Sequence, residues 1–65
     1  MLDEDVAVLI RQLCTRAGMI MEDASVIALT AETTNVASAR KVTAQLRAAA
    51  DRIGELAKAA ESLLG

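Results

Sequence analysis

The chain has 65 residues, 54% of them hydrophobic, and carries a formal net charge of −2 with no aromatic residue, no histidine and no proline. A chain of this length holds one domain, and without histidine it cannot build zinc-finger, zincin or Glu-x-x-His di-iron sites. Alanine is the commonest residue and leucine the next, a composition that favours helix over sheet, so the expected fold class is all-α.

Asp3 is an expected N-cap, and the carboxylates of Glu4 and Asp5 suit the positive end of a helix dipole. From there apolar residues recur at Val6, Ile10, Leu13, Ala17, Ile20, Ala24, Ile27 and Ala31. The steps alternate between four and three residues, which is a heptad seam along a helix. Gly18 costs such a helix about 1 kcal/mol relative to alanine. The seam nevertheless keeps its phase from Ala17 to Ile20, which predicts one unbroken helix over about 3–30. Val8, Met19, Val26 and Leu29 lie away from the seam and are a candidate partner surface. Cys14 has no histidine to activate it; it reads as a small apolar flank of the seam, the sharper alternative being a redox or intermolecular disulfide cysteine.

The polar run Thr30-Ala31-Glu32-Thr33-Thr34-Asn35 follows. Threonine and asparagine are weak inside helices because they lose rotamer freedom or bond to the nearby backbone. A continuous helix would carry the first seam on to Thr34, Ser38, Lys41 and Gln45, yet the next apolar residues are one position out of phase with that line. Both features predict a chain reversal over about 31–35.

Thr34, Asn35 and Ser38 are all competent N-caps for a second helix over about 36–64. Its seam is Ala39, Val42, Leu46, Ala49, Ile53, Leu56, Ala60 and Leu63, and Gly65 follows the last apolar pair as a helix-ending glycine. Pairing residues whose numbers sum to 66 stacks the two seams in layers, from Val6–Ala60 through Leu13–Ile53 and Ala17–Ala49 to Ile27–Ala39. Residues 1–65 therefore form a single antiparallel helical-hairpin domain. Leu9, Cys14, Met21 and Ala28 flank the first seam, and Ala50, Ala57 and Leu64 the second, so each stripe is wide enough for two neighbours. The hairpin is expected to dimerise into a four-helix bundle, with the seam residues as the core of the oligomer.

Residues 1–32 carry a net charge of −4 and residues 33–65 a net charge of +2, which favours pairing arm 1 with arm 2 over like with like. Arg40, Arg47 and Lys58 fall on one outer stripe of the second helix and are the candidate nucleic-acid contacts. Asp51 and Glu55 interrupt that stripe, and no aromatic residue is present to stack on bases. The adjacent acids Asp3-Glu4-Asp5 and Glu22-Asp23 splay around a helix and do not converge on a cation. No glycine-rich phosphate loop is present. No metal, cofactor or enzymatic activity is expected. The longest aliphatic run, Val6 to Ile10, falls far short of a membrane span, and the acidic N-terminal residues do not resemble a targeting peptide. These features predict a cytoplasmic, non-catalytic protein–protein interaction module (a small scaffold, adaptor or regulator), with a nucleic-acid-binding regulator as the alternative.

Overall fold

A computed structural model describes residues 3–31 and 34–65. Two of the turn residues, Glu32 and Thr33, lie outside the described residues. The protein is a hairpin of two α-helices, α1 over Glu4–Leu29 and α2 over Val36–Leu64, packed against each other. The hairpin is long and thin, with extents of 51 × 17 × 11 Å.

Each helix begins at a residue that satisfies its free backbone donors. The Asp5 N–H donates to Oδ1 of Asp3 at 3.0 Å, and the Ala7 N–H donates to the Asp3 carbonyl at 2.9 Å. Glu4 and Asp5 occupy the first turn, where carboxylates oppose the helix dipole. α1 runs through Gly18 without a break. It ends at Thr30, whose N–H and hydroxyl both donate to the Val26 carbonyl, at 3.0 and 2.8 Å. That hydroxyl bond offers the backbone a local alternative to another helical turn.

Of the three N-cap candidates for α2, Asn35 takes the role. Its backbone is extended and its Oδ1 accepts the Ser38 N–H at 2.9 Å. The α2 seam starts from this cap, one residue out of phase with the line that α1 would have extended. Accordingly Lys41 and Gln45 are exposed and Val42 and Leu46 are half-buried. Replacing Asn35 with alanine is expected to lower stability by about 1 kcal/mol, while aspartate leaves it nearly unchanged. Thermal melts followed by circular dichroism check this, and equal melting temperatures for wild type and Asn35→Ala would remove Asn35 from the role. At the far end Gly65 adopts a positive φ of 96°, and its N–H reaches the Ser62 carbonyl at 3.4 Å.

The core is thin. Ile20, 8% exposed, is the one buried hydrophobic among the described residues. Every other seam residue on both helices is half-buried. Two helices in contact along one line can cover each other's stripe from one side only, which leaves the flanks open to solvent.

Candidate interaction surfaces

The two long edges of the hairpin differ in chemistry. On the first edge an apolar crevice of about 180 Å³ runs between the helices, floored by Leu13, Ala17, Ile53 and Leu56 and rimmed by Cys14, Met21 and Ala57. Met21 is 54% exposed and Cys14 is a free, exposed thiol. On the second edge the grooves are rimmed by charge and amide. Arg16, Asp23, Gln45 and Arg52 border the one beside Ile20, and Gln12, Arg16 and Ser62 the one beside Leu63.

The flanking residues of the first seam divide between these two edges. Leu9 lines the second edge with Gln12 and Arg16. The physical reason is the heptad: Cys14 and Met21 stand four residues after seam residues Ile10 and Ala17. Leu9 stands three residues after Val6, and those two offsets lie on opposite flanks of the stripe.

Val8, Met19, Val26 and Leu29 are all exposed, Leu29 most of all at 84%. At 100° per residue the four fall within an arc of about 80° on α1, so they share the side of the helix away from the seam. Met19 also borders the charged groove with Arg16 and Asp23.

Arg40 and Arg47 share a shallow depression on the outside of α2 with Thr43, Ala50 and Asp51. Lys58 does not line it. Asp51 lines the same depression and offsets part of the charge on that face, so the stripe does not gather into a basic pocket. Thr43 adds no free hydroxyl there, since its Oγ1 donates to the Arg40 carbonyl at 3.0 Å.

Among the described residues one exposed large hydrophobic belongs neither to the seam flanks nor to the candidate partner surface. Val36, 67% exposed, opens α2. Its signal is a seven-residue recurrence, since Val36, Thr43, Ala50, Ala57 and Leu64 are evenly spaced. Among the described residues no three side chains of histidine, cysteine, aspartate or glutamate gather where they could hold a metal ion. No helix among them is long and apolar enough to cross a membrane. Comparison with protein-family models, with curated proteins and with solved structures finds no match to this chain.

Proposed function

We propose that the hairpin is a non-catalytic protein–protein interaction module, a small scaffold, adaptor or regulator, that works as a homodimeric four-helix bundle. The observation that carries this reading is the thinness of the core. Ile20 alone is buried among the described hydrophobics, while Met21, Val36 and Leu64 are more than half exposed. A chain of this size without disulfide, metal or aromatic anchor has too little core to be comfortably stable by itself. A second hairpin laid against the first would cover those flanks and turn two thin stripes into a closed core.

Sedimentation at micromolar concentration tests this directly. The expected result is a dimer whose melting temperature rises with protein concentration, because association stabilises the folded state by mass action. A folded monomer with a concentration-independent melt would overturn the reading.

The nucleic-acid alternative would rest on Arg40 and Arg47, and Asp51 beside them weakens it. The interaction-module reading predicts no salt-dependent binding to generic RNA or DNA at micromolar protein. A steep fall of measured affinity with salt, the signature of counterion release, would favour the alternative.

A further inference from the structure

A bundle could form on either edge of the hairpin. The inner row of the first edge, taken at seven-residue steps, is Ala7, Cys14, Met21 and Ala28 on α1 and Val36, Thr43, Ala50, Ala57 and Leu64 on α2. No residue of that row is charged. The matching row of the second edge contains Arg16, Asp23 and Arg52.

The outer row of the first edge holds both glycines of the helix interiors, Gly18 on α1 and Gly54 on α2. A Cβ built at either meets nothing within 4 Å. Each glycine weakens its helix by about 1 kcal/mol, and nothing inside the hairpin uses the room it leaves. Both stand on the flank where a neighbouring backbone would approach the uncharged row.

We propose that the first edge receives a second copy of the chain, antiparallel about a two-fold axis crossing α1 near Gly18 and α2 near Ala50. The two turns then lie at opposite ends of the bundle. This rests on the dimeric reading above and adds which surface associates and in which direction. Under that axis the uncharged row is self-complementary. Cys14 meets Met21 of the second copy, Ala7 meets Ala28, Val36 meets Leu64, Thr43 meets Ala57 and Ala50 meets itself. In the outer row Gly18 meets Gly18 on the axis, which allows close backbone approach, Arg47 meets Gly54, and Arg40 meets Glu61 of opposite charge.

The midpoints of the α1 and α2 rows fall within about two residues of one hairpin layer, Ala17 with Ala49, so a single axis can cross both rows. An axis along the bundle would instead set Glu4 against Glu61 of the second copy and Arg40 opposite Ser25, without an acid. The opposite net charges of the two arms as wholes are already met inside each hairpin, where α1 lies against α2. Extents of 51 × 17 Å for the broad face match the size class of a stable interface, about 800 Å² per partner.

The test compares Ala57→Glu with Ala59→Glu. The two changes are chemically identical and two residues apart on α2, both at exposed positions, but they fall on opposite edges. Sedimentation equilibrium on the full chain is expected to show dimer dissociation strengthened roughly thirtyfold or more by Ala57→Glu, as for a buried interface residue, and within about twofold of wild type for Ala59→Glu. Gly18→Leu is a second probe. It raises intrinsic helix propensity, so weaker dimerisation with undiminished helicity reports on the interface alone. Arg40→Glu should weaken the dimer roughly two- to fivefold, and Arg40→Glu with Glu61→Arg should restore it.

A wild-type monomer would overturn the dimeric reading and this one together. A wild-type dimer that tolerates both Ala57→Glu and Gly18→Leu would overturn the choice of edge alone. A wild-type dimer that is lost with Ala57→Glu but not rescued by the charge swap would overturn the antiparallel arrangement.

Discussion

Replacing Ile20 with alanine is expected to cost about 2–5 kcal/mol, the range for large-to-small changes at buried sites. A domain of this length holds roughly 3–10 kcal/mol in all, at 0.05–0.15 kcal/mol per residue. The single change therefore removes a large share of the total. Among the described residues Ile20 is the one hydrophobic side chain that the packing of α1 on α2 buries, leaving 8% of it exposed. Truncation there opens a void on the packing line, whose other layers are only half-buried. Lysine at the same site has no partner charge within the seam and is expected to prevent folding. Leu29→Ala is the control. The side chain is 84% exposed, and its loss should move stability by no more than about 0.5 kcal/mol. Urea melts at one fixed protein concentration, followed by the helical circular-dichroism signal, give both values. Equal midpoints for Ile20→Ala and Leu29→Ala would show that the packing line lies elsewhere on α1.

The seam was legible in the sequence because burial on a helix is periodic and so was the residue pattern. Val6, Ile10, Leu13, Ala17, Ile20, Ala24, Ile27 and Ala31 on the first arm, and Ala39 through Leu63 on the second, are half-buried or buried in the hairpin. Continuity through Gly18 was legible for the same reason, since a broken helix has no cause to keep its phase. The width of the stripe does not say by itself which flank each residue holds. Leu9 lines one edge, and Cys14 and Met21 line the other. The difference is one of three against four residues from the seam, a small step in sequence and a change of side in space. Val36 escaped because a lone valine beside a polar turn reads as a helix start. Only its even spacing with Ala50, Ala57 and Leu64 gives it a face. The basic stripe failed to gather for a related reason: Lys58 is eleven residues beyond Arg47, so it lies about 16 Å further along the helix axis.

The importance of phase leads to a second large effect. Inserting one alanine directly after Gly18 is expected to abolish folding. Nothing is deleted and helix propensity rises, yet residues 4–18 turn by about 100° relative to the rest of α1. The positions now facing α2 are held by Ala7, Arg11, Cys14 and Gly18, in place of Val6, Ile10, Leu13 and Ala17. Ile10 and Leu13 leave the layers they share with Leu56 and Ile53, and a guanidinium takes the place of Ile10. Losing two half-buried aliphatic layers and setting a guanidinium against the partner helix together remove most of the small stability available. The matched control inserts the same alanine between Thr34 and Asn35, ahead of the α2 cap and outside both seams. There it only lengthens the turn, at a fraction of a kcal/mol. Helicity and melting temperature at equal concentration decide between them. If both insertions melt alike, the hairpin does not depend on heptad phase, and the layered packing of α1 on α2 would have to be abandoned.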